Sequence, residues 1–167
     1  SSKLEVLESE LGGLGRVVIA FSGGADSAFL AGAATRVLGA ERAHAVTAVS
    51  PSLAGDEEAD CRALANEWGL RWTPIPTAEM ERAAYRFNDT DRCFHCKAEL
   101  MDVVGPIAVA EAATVVLGVN VDDLGDHRPG QRAATEAGAA FPLVTAGFTK
   151  ADVRAASKAM GLRTWDK

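Results

Sequence analysis

The sequence has no apolar run approaching the ~18 residues of a membrane-crossing helix, so a helical membrane span is excluded. Its first residues lack the charged-then-apolar pattern of a secretory leader. Cysteine is scarce: three residues, an odd number, with no export pattern, which argues against a disulfide-built scaffold and points to a reducing cytoplasm. Positive charge is short as well. Lys+Arg 17 against Asp+Glu 23 gives a net charge of −6, which argues against broad, non-specific nucleic-acid binding and leaves only a local basic groove open. Neither a membrane nor a nucleic acid is therefore expected among the partners. Aromatic residues make up only 6%, and no function attaches to that. Internal repeats, low-complexity tracts and interdomain linkers are also missing.

What is present is ordinary for a soluble globular domain: 167 residues, 48% hydrophobic and 24% charged, long enough for one domain with a substantial core. Apolar residues at Leu4, Leu7 and Leu11 predict a short amphipathic helix over 3–11 that Gly12-Gly13 ends. The unbroken run Val17 to Phe21 predicts a buried strand, and Ala25 to Leu38 a helix. A second strand is expected over His44–Val49, a helix over Asp56–Trp68 with Gly69 as its stop, and a third strand over Arg71–Pro76. Pro74 and Pro76 suit that strand to a sheet edge. Helices follow over Glu79–Tyr85 and over Cys93–Ala112, the latter interruptible at Gly105-Pro106. Strands are expected over Thr114–Val119 and Phe141–Val144, with a helix over Gln131–Ala137 between them. Thr149 is placed to cap a last helix over Lys150–Met160. This alternation predicts an α/β fold: an open, parallel, five-stranded sheet with helices on both faces. Ligands of such sheets bind beyond the carboxyl ends of the strands, near the point where strand order reverses.

The most informative stretch is Ser22-Gly23-Gly24-Ala25-Asp26-Ser27, set between the first strand and its helix. Two glycines allow a tight turn and close approach of backbone to a ligand. The helix start adds free N–H groups and the positive end of the helix dipole, while Ser22 and Ser27 add hydroxyls. Such a turn is an anion site, and the natural anion is a phosphate or pyrophosphate. Asp26 sharpens the reading, because a carboxylate beside phosphates is repulsive unless a cation, usually Mg²⁺, lies between them. No Lys follows the glycines, which excludes a Walker-type loop.

Two further stretches carry chemistry. Arg92-Cys93-Phe94-His95-Cys96-Lys97 contains a C-x-x-C pair, open to zinc binding, to a redox dithiol or simply to packing. No second C-x-x-C exists, and only His95, His44, His127 and Cys61 are further candidate ligands. Arg92 and Lys97 would lower a neighbouring thiol's pKa and can hold an anionic substrate group. The acidic loop with Asp122, Asp123, Asp126, His127 and Arg128 follows the fourth strand, so it faces the phosphate loop. A carboxylate from it, Asp123 in preference to Asp122, would complete a Mg²⁺ shell begun by Asp26, and Arg128 offers a planar fork for a phosphate or carboxylate.

Ser22-Gly23-Gly24-Ala25-Asp26-Ser27 resembles the PP-loop of the ATP pyrophosphatases, a fold of the adenine nucleotide alpha-hydrolase type. Together with Arg92–Lys97, Gly118-Val119-Asn120-Val121-Asp122-Asp123 and Asp126–Gly130, it resembles one subgroup, the LarE-type ATP-dependent sacrificial sulfur transferases. Phe141-Pro142-Leu143 and Phe148–Arg154 are similar to that family's fifth strand and following helix. The resemblance implies ATP and Mg²⁺ as cofactors, with Asp26 catalytic and nucleotide contacts at Ala20, Phe21, Ser22, Gly23, Gly24, Asp26, Ser27, Val49, Ser50 and Gly118. The adenine is placed near Val49, Ser50 and Gly118. Substrate contacts fall on Arg92, Lys97 and Arg128, and metal contacts on Asp26 and Asp123.

The implied chemistry adenylates a substrate carboxylate, releases pyrophosphate, and then takes sulfur from a protein cysteine that is left as dehydroalanine. The implied substrate is a carboxylated pyridinium mononucleotide on the route to a nickel-pincer cofactor. A cytoplasmic setting follows, and a homo-oligomer is compatible with it. Residues 1–167 are expected to form the PP-loop domain, with the family's C-terminal region absent, because its Pro-Cys segment falls after the stretch matching Gly161–Lys167. The sulfur donor is therefore carried onto none of Cys61, Cys93 and Cys96. Alternatives are another adenylating PP-loop enzyme, amidotransferase-type or tRNA-modifying, and a non-catalytic ATP-binding module. The net charge counts against the tRNA version, and Asp26 against the binding-only one.

Overall fold

The apolar run after Arg16 forms β1, Val17–Ala20, with its first three residues buried. The computed structural model of the protein describes residues 3–21, 25–49, 55–76, 104–124 and 138–162. Within them β1 is joined by β2, Ala43–Val49, β3, Arg71–Pro76, and β4, Thr114–Val116, in one parallel four-stranded sheet of order β3-β2-β1-β4. The helices are α1, Lys3–Leu14, α2, Ala25–Leu38, α3, Gly55–Trp68, α4, 104–111, α5, Pro142–Thr145, and α6, Lys150–Ala159; a 3₁₀ turn spans Val121–Leu124.

Alternation along each strand decides which helix covers which face. Val17, Ile19, Ala43, Ala45 and Val116 share a core with Leu7 of α1, Phe29 of α2, Leu64 of α3 and Val153 of α6. Val18, Val46, Val115, Leu117 and Val119 pack with Val104 and Ala108 of α4 on the other face. A sheet covered on both sides is the setting in which parallel strands are stable. Phe29 and Phe148 meet at 5.4 Å between ring centroids, tying α2 to the segment that leads into α6. No helix of the described residues is long and apolar enough to cross a membrane.

Two expectations from the sequence are corrected. The sheet has four strands where five were expected, because Phe141–Val144 does not form a strand. Pro142 has no N–H to give a ladder, and its fixed φ suits the first position of a helix, so Pro142–Thr145 turns into α5. Only Ala140 reaches the sheet, as a parallel bridge to Val116. α1 also runs through Gly12 and Gly13 to Leu14, and Gly15 at φ 78° ends it. Leu11 is fully buried and Leu14 packs against the same core, and that burial outweighs a glycine penalty of about 1 kcal/mol per residue. As expected, β3 with its Pro74 lies at an edge, and 104–111 is helical within the longer helix expected over 93–112. The expected helices over 79–85 and 131–137, and most of the one over 93–112, lie outside the described residues.

Two polar clusters hold this frame. At the amino-terminal end of the sheet, Nδ1 of the buried His44 donates to Glu111 Oε2 at 2.6 Å, and Arg71 donates to Glu111 Oε1 at 2.8 Å. His44 Nε2 meets Thr73 Oγ1 at 2.7 Å, so β2, β3 and α4 are tied at one point. Burial raises the Glu111 pKa, but the hydrogen bonds and positive charge of His44 and Arg71 outweigh it and hold the carboxyl below its ordinary value. At the start of α6, Thr149 Oγ1 accepts from Asp152 N at 3.1 Å, and Asp152 Oδ2 accepts from Thr149 N at 3.0 Å, a reciprocal cap. Asp152 also accepts from Lys3 Nζ at 2.6 Å, which joins α1 to α6. The Lys3 hydrogen bond, followed by those from Thr149, lowers the Asp152 carboxyl to about 2.

Glu111 is held below its ordinary value of 4.5, so its stabilisation is complete above that pH and disappears as pH falls through the lowered value. Glu111→Gln is expected to lose about 1 kcal/mol at neutral pH and to flatten the acid limb of a stability-versus-pH curve from urea melts. An unchanged acid limb would remove Glu111 as its source. Thr149→Ala should cost about 1 kcal/mol in the same assay, with Thr149→Ser close to wild type.

Candidate functional site

Parallel strands end on one edge, so the ends of β1, β2 and β4 line up there. From β1 the chain moves outward through β2 to β3 and then returns to β4 on the other flank of β1. The order therefore reverses between β1 and β4, the kind of switch point at which open parallel sheets form their ligand crevice. Beyond β1 the exit is pinned: Phe21 N donates to Val46 O at 2.9 Å, and Thr47 Oγ1 donates to Phe21 O at 2.6 Å. Trp72 Nε1 in turn donates to Thr47 Oγ1 at 2.8 Å. The first turn of α2, with Ala25, Asp26 and Ser27, stands over this exit.

The chain leaving β4 is pressed against that turn. A Cβ on Gly118 would lie 2.8 Å from Ser27 N, 2.9 Å from Ser27 Cα and 3.0 Å from the Asp26 carbonyl carbon. All three are backbone atoms, so only glycine fits. Gly118 was expected at the adenine; what the fold shows is a packing reason for glycine there.

Two residues farther on, Asn120 is 1% exposed and donates from Nδ2 to Asp26 Oδ2 at 3.1 Å. On the other oxygen, Lys150 Nζ stands 3.4 Å from Asp26 Oδ1. The two side chains are partly exposed, 18% for Asp26 and 33% for Lys150. Lys150 opens α6, and its own N–H donates to Asp122 Oδ2 at 2.9 Å. Val121 N donates to Phe148 O at 2.8 Å, which fixes the 3₁₀ turn against the segment before α6. The Asp122 carboxylate is thus engaged in holding the start of α6, while Asp123 belongs to the same 3₁₀ turn.

An α2 amino terminus and an ammonium favour an anion, and a carboxylate between them favours a cation. A metal-bound phosphate satisfies all three. Among the described residues no group of three or more His, Cys, Asp or Glu gathers around a metal site. The single carboxylate of Asp26 is a donor that fits Mg²⁺, which is held by one or two carboxylates and completes its shell with phosphate oxygens and water.

Of the expected site residues, the fold brings Ala20, Phe21, Asp26, Ser27 and Gly118 to one crevice, with Val49 at the end of the neighbouring strand. Ser22, Gly23, Gly24, Ser50, Arg92, Lys97 and Arg128 lie outside the described residues, as do Cys93, His95, Cys96 and His127. Cys61 is buried in α3, and both ring nitrogens of His44 are engaged at the far end of the sheet. Asn120 and Lys150 were not assigned a role from the sequence. Lys150 stands directly after a capping threonine, inside the stretch Phe148–Arg154 that resembles the family, and nothing local connects it to a carboxylate 124 residues away.

The NAD synthase family model matches residues 5–100. An uncharacterized protein of Synechocystis sp. is 45% identical over 167 residues, 99% of this chain and 62% of that protein. The pyridinium-3,5-bisthiocarboxylic acid mononucleotide synthase of Lactiplantibacillus plantarum is 33% identical over 168 residues, 100% of this chain and 61% of that protein. The chain thus spans somewhat under two thirds of the length of these relatives, 62% and 61%. Among solved structures, the NH3-dependent NAD synthetase of Campylobacter jejuni superposes with a TM-score of 0.76 at 19% identity, over 96% of this chain and 71% of that one. At that identity the likeness is one of fold.

Gly118→Ala is expected to force the β4 exit away from α2, at a cost of about 1–3 kcal/mol. Urea melts check it. Wild-type stability would show that the contact has slack.

Proposed function

The chain belongs to the NAD synthase family of enzymes, and on that footing we propose that it binds ATP and adenylates a substrate carboxylate with release of pyrophosphate. The observation that carries the reading is Asp26, held between an amide and an ammonium at the head of α2, in the crevice where strand order reverses. The α2 amino terminus and Lys150 supply positive potential for the phosphates. Asp26, joined by Asp123, would hold the magnesium ion, which when bound draws charge from the phosphates. A substrate carboxylate oxygen bonds to the α-phosphorus, the bond from that phosphorus to the bridging oxygen breaks, and pyrophosphate leaves with the electron pair. The protein's share of this step is orientation and charge stabilisation.

The 33%-identical synthase favours a carboxylated pyridinium mononucleotide as the substrate. Arg92, Lys97 and Arg128 would then pair with its anionic groups. In the second half-reaction, a protein thiolate attacks the acyl-adenylate carbonyl and AMP leaves. Loss of the cysteine Cα proton to a base then forms the Cα=Cβ double bond as the Cβ–S bond breaks, the thiocarboxylate leaving with that electron pair and dehydroalanine remaining, the sequence that leads towards a nickel-pincer cofactor. Cys61 is buried in α3 and is not assigned as the donor. A cytoplasmic setting and a possible assembly of identical copies belong to the same proposal.

The test is incubation of the full-length protein with ATP, Mg²⁺ and a pyridinium carboxylate mononucleotide. Pyrophosphate and AMP are expected, and Asp26→Ala should lower the turnover by about 100-fold or more with its circular dichroism unchanged. Release of orthophosphate alone would overturn the adenylation reading. Loss of the elements of H2S from one cysteine after turnover, read by mass spectrometry, would establish sulfur donation.

A further inference from the structure

The two oxygens of Asp26 are held unequally. A carboxylate has no proton to give, so the amide facing it presents its NH2, which settles the orientation of Asn120. The donor side of that bond is buried, Asn120 being 1% exposed. Its reach is set by the backbone. Alternate residues of an extended segment face the same side. Leu117 and Val119 face the α4 core, while Gly118 and Asn120 face α2. The missing side chain at Gly118 brings this segment onto the first turn of α2, and Asn120 meets the carboxylate there. On Oδ1 the contact is looser: Lys150 Nζ is 3.4 Å away on a side chain 33% exposed, a pair of low energy that can exchange.

We propose that Asn120 is the positioning residue of Asp26, fixing Oδ2 with a neutral donor so that Oδ1 is the oxygen presented to the metal–nucleotide, with Lys150 as the counter-ion that yields it. The neutrality of the amide is the point. A cation in its place would cancel the charge of the carboxylate, and an acid would repel it, whereas an amide orients the group and leaves its charge for the ligand. Partners that orient a metal-holding carboxylate in this way typically govern affinity by about 10–100-fold. The proposal rests on the reading of Asp26 as the metal-holding carboxylate.

The test uses Mn²⁺ as the probe, titrated into the full-length protein with ATP and followed by electron paramagnetic resonance. Asn120→Ala and Asn120→Asp are each expected to weaken Mn²⁺ binding by about 10–100-fold while leaving adenosine affinity unchanged. In an Asp26→Ala background the same substitutions should have no further effect, a non-additivity that a merely structural role would not produce. Asn120→Asp keeps the shape of the side chain while it removes the donor and sets a like charge against Asp26, so it serves as the second variant if Asn120→Ala fails to fold. Wild-type Mn²⁺ affinity in both variants, additive losses, or unfolding of both would overturn the proposal. A wild type that binds Mn²⁺ with ATP yet releases no pyrophosphate would sink the adenylation reading and leave the Asn120 cycle intact as a test. A wild type that binds no Mn²⁺ with ATP would overturn the role of Asn120 whatever the reaction.

Discussion

Between Gly118 and the backbone of Asp26 and Ser27 there is no room for a methyl group. This contact sets the distance between the segment leaving β4 and the head of α2, and the site is built on that distance. β4 is held in the sheet by its parallel pairing with β1, and the segment beyond it runs against the head of α2. With the backbones this close, a side chain as short as asparagine spans from one element to the other. Any bulkier residue at 118 would separate the amide from the carboxylate, whatever the sequence on either side.

The charges of the site depend on a second, more distant set of contacts. Lys150 reaches Asp26 because α6 starts where it does, and three interactions fix that start. The reciprocal cap of Thr149 and Asp152 turns the chain into the helix, Asp122 accepts the N–H of Lys150, and Lys3 holds Asp152 from α1. Lys3 and Asp152 are 149 residues apart in sequence, so the first helix of the chain helps to place a cation near its end. Ring contact between Phe29 and Phe148 adds an apolar tie between α2 and the same segment. Together these place an amino terminus, a carboxylate and an ammonium together in one crevice, an arrangement suited to a phosphate with its cation.

Local signals carried much of the frame. The run Val17–Ala20 followed by an alanine-rich helix was legible because a strand buried on both faces has no polar face to obscure it. The α2 bounds matched the expectation, as did Arg71–Pro76, where Pro74 allows only an edge position. Thr149 was legible as a cap because capping is decided within four residues. Expectations failed where burial competed with a local preference. Gly12 and Gly13 were read as a stop, yet the burial of Leu11 and the packing of Leu14 carried α1 past them. Phe141–Val144 was read as a strand from its apolar residues, but Pro142 withholds the N–H a ladder needs, and one bridge at Ala140 is all that joins the sheet.

By itself the sequence pointed to the kind of site: an apolar run, Ser-Gly-Gly, a carboxylate and a helix start are contiguous, and the phosphate-site expectation rests on their chemistry alone. It singled out Asp26 as the residue that makes the expected loop more than a plain phosphate nest. Only the tertiary structure decided which groups meet that carboxylate. Asn120 and Lys150 lie 94 and 124 residues from Asp26, and no periodicity or local propensity links positions so far apart. Strand order, the clearance at Gly118 and the capped start of α6 bring them together. Those are properties of packing between elements, which a chain acquires only when it folds.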